Sequence, residues 1–398
     1  MYIEKIKNNK YYLLSLLFIS TILLVGCTNK HNINNHLKNE ENEGSKEKIN
    51  VNYENNVIVN NISNEENSIV NKNNKEEYEN ITLGFVGDVY FSKELYNNYV
   101  NDNNNPLGVM DETILNNFRT VDIMVANHEY ATTNADDSKK DKRQLYNFKS
   151  PIEREFLWNE FGVDVVSLAN NHILDYGKEG FYDTINILEE LNIESIGAGE
   201  NLDKAMESYI TTINGKKVAI LATCRFVVDI EWYATKDRLG VSTTYPTTEY
   251  FNLVKEEIIK LKKEENCDFV ITYVHFGTEK QNTPNEDQKI ISYEYIDCGA
   301  DIVIGSHAHT LQGIEFYQGK PIYYNLGNFL FGSYAVDTMI LNIEINEDNT
   351  CNTSIVPCMA SNYKVEVPKD ENYQRILDYI ESISINAIID ENGNVKEK

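Results

Sequence analysis

The chain has 398 residues, 41% of them hydrophobic, and a formal net charge of −26 at pH 7. So acidic a chain lacks the basic surface that DNA or RNA binding requires, and we therefore expect no nucleic-acid partner. Its length suits one large α/β domain or two smaller ones.

Residues 1–27 have the pattern of a secretion signal. Three lysines precede a short apolar run, which ends in Leu-Val-Gly-Cys at 24–27. The run is short for a spanning helix, and its junction resembles a bacterial lipoprotein signal in which Cys27 becomes the lipid-modified first residue. The alternative is an uncleaved anchor helix that contains a cysteine. Both interpretations place the rest of the chain outside the cytoplasmic membrane and attached to it.

Residues 28–80 are rich in Asn, Glu, Lys and Ser and show no hydrophobic period. Such a segment buries too little apolar surface to offset its ordering entropy, so we predict a disordered tether. The remainder divides into a folded domain at 81–362 and a C-terminal helix and tail at 363–398.

Five cysteines follow Cys27, and their spacing matches no zinc pattern. We expect buried free thiols, although Cys351 and Cys358 would pair if a loop brought them together.

From residue 81 onward, apolar runs alternate with helical patterns, which is typical of an α/β fold. Strands are predicted at 81–86, 121–126, 163–168, 194–196, 209–213, 218–222, 269–274, 302–304, 339–345 and 353–356. Helices are predicted at 93–99, 113–118, 178–191, 248–264 and 286–297. Ser150 is expected to cap a further helix that starts at Pro151. The polar stretch 132–144 is predicted to be a solvated loop, and the irregular stretch 225–245 a wall for the substrate.

Polar residues cluster where the predicted strands end. Five of the seven histidines follow strands, namely His128, His172, His275, His307 and His309. Asp88, Glu129 and Asn171 occupy equivalent positions. Imidazole, carboxylate and amide groups at strand ends suit Mn, Fe or Zn, and metal-assisted hydrolysis is the chemistry that such a set supports.

Six short motifs, in order, resemble the bacterial poly-γ-glutamate capsule synthesis (CapA-type) family, which is similar in fold to the calcineurin-like metallophosphoesterases. They are Gly-Asp at 87–88, Asn-x-Glu at 127–129, Ala-Asn-Asn-His-x-x-Asp-x-Gly at 169–177, His-x-Gly at 275–277, Gly-Ser-His-Ala-His at 305–309 and Leu-Gly-Asn-Phe at 326–329. The resemblance covers about 81–360. It implies a four-layer α/β/β/α sandwich, with two packed sheets, helices outside and the ligands along one edge.

The resemblance also implies roles for individual residues. Asp88 would bind a first metal together with His309, Glu129 would bridge, and Asn171, His275 and His307 would hold a second metal. His172 would donate a proton to the leaving group, and Asp175 would orient the imidazole of His172. Asp175 also fits a surface helix cap. Tyr90, Asn127 and Asn328 are expected beside these groups, in contact with the substrate or with the ligands.

The chain departs from the family pattern at two positions. Tyr90 stands where the phosphoesterase pattern has a histidine, so a single strongly held metal is an alternative to a pair. His128 stands where the family usually has an apolar residue, and we expect it in the core or at the rim.

Two classes of function remain open at this point. The first is an extracytoplasmic metal-dependent hydrolase that acts on a phosphoester or on a γ-glutamyl or peptide-like amide. The second is a non-catalytic factor for the assembly, anchoring or export of a capsular polymer. The expected partners are the cell membrane, through the lipid anchor, and the polymer with its synthesis and export subunits. An intact His172–Asp175 pair favours the hydrolase, whereas the lack of clustered positive charge leaves the substrate undefined.

Overall fold

The computed structural model describes residues 79–398. The signal at 1–27 with Cys27, and the tether up to residue 78, lie outside the described residues. Within 79–398, no helix is both long enough and apolar enough to cross a membrane.

The described residues form twenty strands and eight α-helices. The strands are β1 (Ile81–Val89), β2 (Ile123–His128), β3 (Ala131–Thr132), β4 (Lys149–Ser150), β5 (Val165–Ser167), β6 (Glu194–Ile196), β7 (Ala198–Gly199), β8 (Tyr209–Ile213), β9 (Lys216–Cys224), β10 (Gly240–Val241), β11 (Phe269–Phe276), β12 (Ile302–His307), β13 (Ile314–Tyr317), β14 (Lys320–Tyr323), β15 (Asn328–Leu330), β16 (Val336–Ile345), β17 (Cys351–Ser361), β18 (Lys364–Glu366), β19 (Ala387–Ile389) and β20 (Asn394–Glu397). The helices are α1 (Lys93–Asn101), α2 (Glu112–Thr120), α3 (Leu157–Phe161), α4 (Gly177–Glu190), α5 (Leu202–Ala205), α6 (Glu249–Lys263), α7 (Glu286–Cys298) and α8 (Glu371–Ile383).

Two large sheets contain most of the strands. The first has ten strands in the order β19-β20-β17-β16-β1-β2-β5-β6, with β15 beside β1 and β18 beside β17. The second has six strands in the order β13-β14-β12-β11-β9-β8. Strands β1, β2 and β5 run parallel, as do β9, β11 and β12. Parallel strands bring their carboxyl ends to one edge, where open α/β sheets bind ligands.

The two sheets pack face to face. Alternate residues of the second sheet face opposite sides, so one side packs on the first sheet and the other on helices. Ile271 and Tyr273 in β11 belong to the core shared with the first sheet, where the ring of Tyr273 lies 5.8 Å from that of Phe85 in β1. Val270 and Val274 pack in a second core with helices α6 and α7. Helices α1 to α4 bury apolar side chains in the core of the first sheet. The expected four-layer α/β/β/α class is therefore confirmed.

Two glycines allow the backbone to pack closely behind the strand ends. A Cβ on Gly87 would lie 2.0 Å from the carbonyl oxygen of Gly327, and a Cβ on Gly305 would lie 2.1 Å from that of Tyr324. Neither position has room for a side chain. The close approach lets the Asp88 N–H donate to the Gly327 carbonyl at 3.1 Å, which fixes the backbone of Asp88.

Several segments differ from their expected structure. Ser150 does not cap a helix: it lies in β4, where its carbonyl accepts a hydrogen bond from the Thr133 N–H. Residues after α8 form strands β19 and β20, and β20 pairs with β17, so this stretch extends the first sheet. All five cysteines of the described region are free. Cys351 and Cys358 lie at positions seven apart along β17, too far for a disulfide at about 3.3 Å per residue.

Candidate metal centre

The first group of possible ligands lies at the ends of β1 and β2 and in the loop after β12. One ligand atom from each of Asp88, Glu129 and His309 lies within 4.8 Å of the others. His309 Nδ1 lies 3.3 Å from Asp88 Oδ2, and His309 Nε2 lies 4.0 Å from Glu129 Oε1. Both carboxylates are fully buried. These three side chains can therefore face one cation.

A second group shares Glu129 with the first. Its members are Glu129, His275 and His307, whose ligand atoms also lie within 4.8 Å of one another. His275 Nε2 lies 3.5 Å from Glu129 Oε1 and 2.7 Å from Asn171 Oδ1. The structure thus brings Asn171 to this group as well. A carboxylate that belongs to both groups has the placement of a bridging ligand.

The buried donor atoms fit a divalent cation. Glu129 Oε1 and His307 Nδ1 are buried and have no hydrogen-bond partner within the described chain. Leaving a buried polar atom unpaired costs about 1–3 kcal/mol, so native proteins normally satisfy such atoms. A bound metal would satisfy both. Oxygen and imidazole donors without thiolate suit Mn, Fe or Zn.

The electrostatics of the centre are dominated by burial. Burial, followed by the charge of Asp88, raises the pKa of Glu129 well above its ordinary value. Burial also lowers the pKa of His275 well below its ordinary value, and that of His307 to about 3. Both imidazoles are therefore neutral at pH 7, which is the form that binds metal. For Asp88, burial would raise the pKa, but contacts with His309 and Asn127 outweigh it and the pKa is lowered.

Amide side chains orient the ligands of the first group. Asn127 Nδ2 donates to Asp88 Oδ1 at 2.8 Å, and Asn170 Nδ2 donates to Asn127 Oδ1 at 3.2 Å. Asn328 Oδ1 lies 2.7 Å from His309 Nδ1 and accepts a hydrogen bond from the Nδ1–H tautomer, in which Nε2 is the nitrogen left for a cation. Strand register explains the placement, because Asp88 pairs with Asn127 in β2 and with Asn328 in β15.

The backbone around the histidine pair is strained. His307 has φ 93° and His309 has φ 56°, in a region that residues other than glycine rarely adopt. Such conformations cost about 1–3 kcal/mol each and cluster at functional sites. The backbone N–H of His307 also donates to Asp88 Oδ1 at 3.2 Å. This hydrogen bond holds the strained turn after β12 against the end of β1.

His172 and Asp175 form a buried pair beside the second ligand group. His172 Nδ1 lies 2.7 Å from Asp175 Oδ2, and the charge of His172 contributes to the lowered pKa of both His275 and His307. Burial raises the pKa of Asp175, and His172 opposes that rise. Asp175 does not cap a helix, since Tyr176 occupies the cap position of α4 and no side chain caps it. The geometry is that of a carboxylate that orients an imidazole.

The polar loop between β3 and β4 covers this pair, and two of its residues were missed by the sequence reasoning. Phe148 donates its backbone N–H to Asp175 Oδ2 at 2.6 Å, and its ring lies 4.2 Å from that of His172. The side-chain amide of Gln144 donates to the backbone carbonyl of Asn171. Phe148, an aromatic residue at the end of a largely polar loop, is the sequence feature that could have indicated this contact.

Tyr90 lies beside the centre in a cluster of aromatic rings. Its hydroxyl donates to the Lys149 carbonyl at 3.2 Å, and its ring lies 5.0 Å from Phe148 and 5.9 Å from Phe331. Burial raises its pKa, so the hydroxyl stays protonated at neutral pH. A protonated phenol is a poor replacement for an imidazole ligand.

His128 lies in a separate buried cluster. Its Nε2 lies 3.2 Å from Glu155 Oε2, and its ring stacks on that of Tyr130 at 3.8 Å. Glu155 also accepts a hydrogen bond from the Trp158 indole at 2.9 Å. These contacts place His128 in the core, as part of a polar network away from both ligand groups.

Comparison with known proteins identifies the family. The family model of the bacterial capsule synthesis protein PGA_cap matches residues 82–333. The capsule biosynthesis protein CapA of Bacillus anthracis is 30% identical over 71% of this chain and 68% of its own length. The PGA biosynthesis protein CapA of Bacillus subtilis (strain 168) is 28% identical over 60% of this chain and 62% of its own length. The match therefore spans only about two thirds of these relatives.

Among solved structures, the NAD nucleotidase of Haemophilus influenzae aligns with a TM-score of 0.45 and 13% identity, over 77% of this chain and 64% of its own. A hypothetical protein from Thermus thermophilus aligns with a TM-score of 0.44 and 15% identity, over 70% of this chain and 99% of its own. Both likenesses are too weak to carry a functional argument. The family match covers most of the folded region and agrees with the CapA relatives. The chain therefore belongs to the bacterial capsule synthesis protein family PGA_cap.

Proposed function

We propose that the protein is a metal-dependent hydrolase in the biosynthesis of a capsule polymer of the poly-γ-glutamate type. Its substrate bond is a phosphoester or a γ-glutamyl or peptide-like amide. The observation that carries the proposal is the buried His172–Asp175 pair, with 2.7 Å between His172 Nδ1 and Asp175 Oδ2, beside two ligand groups that share Glu129.

Each ligand group has a distinct place in this proposal. Asp88 and His309 would hold one metal, Asn171, His275 and His307 would hold the other, and Glu129 would lie between them. A bound divalent metal supplies a Lewis acid and lowers the pKa of a coordinated water, which is the chemistry that hydrolysis needs. With Tyr90 in place of an imidazole, the group at Asp88 is the weaker of the two, and a single metal at the other group is the alternative.

His172 has the geometry of a general acid. Asp175 holds the Nδ1 side of the ring, so Nε2 is left to give its proton to a leaving oxygen or nitrogen. The Phe148 ring packs on the imidazole at 4.2 Å and shields it from solvent. Asp175 itself is held by the Phe148 N–H, so the orientation of the imidazole is fixed before substrate binds.

A non-catalytic factor for polymer assembly is the alternative function. Burying an imidazole and a carboxylate together costs desolvation free energy. Such buried pairs are common at sites where a proton is transferred. A metal site retained only for structure has no need of such a pair. The pair therefore favours catalysis.

The location and the partners of the protein belong to the same proposal. The Leu-Val-Gly-Cys junction at 24–27 supports a lipid anchor at Cys27 and a folded domain outside the cytoplasmic membrane. Two relatives are named as capsule or PGA biosynthesis proteins, which supports the polymer and its synthesis or export subunits as partners.

The test compares His172→Ala with wild type, both loaded with Mn²⁺ or Zn²⁺. We expect unchanged metal content and thermal stability, and kcat lower by about 10²–10⁴-fold on a substrate with a poor leaving group. The loss should shrink on an activated aryl phosphate or anilide, because that leaving group needs no proton. Asp175→Asn should show a milder loss. If loaded wild type hydrolyses no phosphoester or γ-glutamyl substrate, while capsule export fails in the His172 variant, the assembly function replaces the hydrolase.

A further inference from the structure

A cavity of about 450 Å³ opens beside His307. The carboxyl ends of β9, β11 and β12 and the first turn of α7 form its walls. Its side chains include Arg225, Phe226, Glu279, Asn285 and Asp287. Because His307 belongs to both the cavity and the second ligand group, a molecule bound in the cavity would reach the metal centre.

Arg225 is held in a fixed orientation in this cavity. Its backbone N–H donates to the His275 carbonyl at 2.8 Å, and its guanidinium Nε donates to Asp287 Oδ2 at 2.9 Å. The guanidinium also lies 4.1 Å over the ring of Tyr245. Its Nη1 group has no hydrogen-bond partner among residues 79–398. A pre-oriented guanidinium with a free N–H edge suits recognition of a carboxylate or phosphate.

Two other arginine side chains of this region are engaged elsewhere. Arg143 lies 3.1 Å from Asp229 and 2.9 Å from Glu231, and it also pairs with Asp141. Arg238 donates to backbone carbonyls in its own loop. Arg225 is thus the one cation that lines the cavity in the described part of the chain. It is paired with Asp287 through Nε and Nη2, and its Nη1 edge remains to meet an anionic group.

Phe226 supplies an apolar wall between Arg225 and the metal centre. Its ring stacks on that of His307, with the centroids 5.1 Å apart and the planes at 23°. The side chain remains 41% exposed, so part of its apolar surface is open to the cavity. It is placed to pack on an aliphatic segment that joins the reacting bond to a charged group.

We propose that this cavity is a substrate subsite in which Arg225 binds an anionic group adjacent to the reacting bond, a carboxylate or a phosphate, while Phe226 packs on the aliphatic segment between them. The inference rests on the proposed function, since the reacting bond is the one placed at the metal centre. Asp287 and Glu279 on the same walls would repel a second anion. The subsite therefore accepts one negative charge at one position.

The experiment measures binding, not turnover, with the metal-loaded full chain. The probes are a γ-glutamyl-glutamate dimer, the same dimer with its α-carboxylates converted to amides, and inorganic phosphate. Arg225→Ala should weaken binding of a probe that uses the subsite by about tenfold, the usual effect of losing a charged hydrogen bond. Arg225→Lys keeps the positive charge and loses the planar set of N–H donors of the guanidinium. Its affinity for such a probe should lie between those of Arg225→Ala and wild type. Arg238→Ala, the matched control from the same loop, should leave all three affinities within about twofold, because its partners lie outside the cavity.

The outcomes separate the sources of the anion. Weaker binding of the carboxylate dimer, with the amide dimer unchanged, identifies a carboxylate, and weaker binding of phosphate alone identifies a phosphate group. Equal affinities in Arg225→Ala and Arg238→Ala for every probe would overturn the proposal. Metal content and melting temperature, measured on each variant, show whether the Ala variant has folded, and Arg225→Lys carries the test if it has not. Arg225-dependent binding without any hydrolysis would reject the proposed activity and leave the subsite standing.

Discussion

The two ligand groups that share Glu129 are built differently. The second group has two neutral imidazoles, His275 and His307, with the amide of Asn171 at 2.7 Å from His275. The first has Asp88 and a single imidazole, His309, with Tyr90 in place of another histidine. Imidazole ligands suit Fe and Zn, so the second group should hold either of these metals more strongly. We therefore predict that the two ligand groups differ in metal affinity.

The largest expected effect comes from removing an imidazole of the second group. His307→Ala should lower metal affinity on the order of 100-fold or more, because even loss of a partner behind a ligand costs about 10–100-fold. Tyr90→Phe, the matched control, should leave metal content unchanged, since the hydroxyl of Tyr90 donates to the Lys149 carbonyl. Elemental analysis after dialysis measures both variants. Full metal content in His307→Ala would reject the assignment of the second group.

A smaller effect is expected from weakening the first group alone. Asn328→Ala removes the acceptor that lies 2.7 Å from His309 Nδ1, so the ring loses its fixed orientation. The affinity of the first group for metal should fall by about tenfold, and the affinity of the second group should be unchanged. A competition titration with a chelator resolves the two affinities. If one metal binds in both wild type and variant with equal affinity, the first group does not bind metal in solution.

The sequence could predict the strands that carry these ligands, because each is a short apolar run followed directly by a polar motif. Asp88, Asn171, His275 and His307 all follow or end such runs, and the structure brings them together. The α/β class was also predictable, since strands and helices alternate along most of the chain, and the family resemblance implied the four-layer α/β/β/α arrangement. The hairpin of β13 and β14 and the strands after α8 were not predicted, because their apolar and polar residues alternate weakly.

The loop contacts around the centre could not be predicted either. Gln144 touches the backbone of a residue 27 positions later, and Arg225 pairs with Asp287, 62 positions later. Such contacts depend on how the two sheets pack, and no local pattern reveals them. Ser150 illustrates the opposite error, since a good local capping signal was overridden when its strand paired with β3. Local patterns therefore located the ligands, and tertiary packing decided which loop residues accompany them.

The smallest expected effect concerns the loop support of the second group. Gln144 donates its side-chain amide to the backbone carbonyl of Asn171, so it holds the ligand loop from outside. One hydrogen bond contributes about 0.5–1.5 kcal/mol. Gln144→Ala should therefore lower the affinity of the second group for its metal by about two- to tenfold. Tyr146→Ala is the control, because that side chain is 66% exposed in the same loop. Chelator competition on both variants measures the difference. If the two variants hold the metal equally well, then the loop covers the centre without supporting it, and the strength of the second group comes from its strand-borne imidazoles alone.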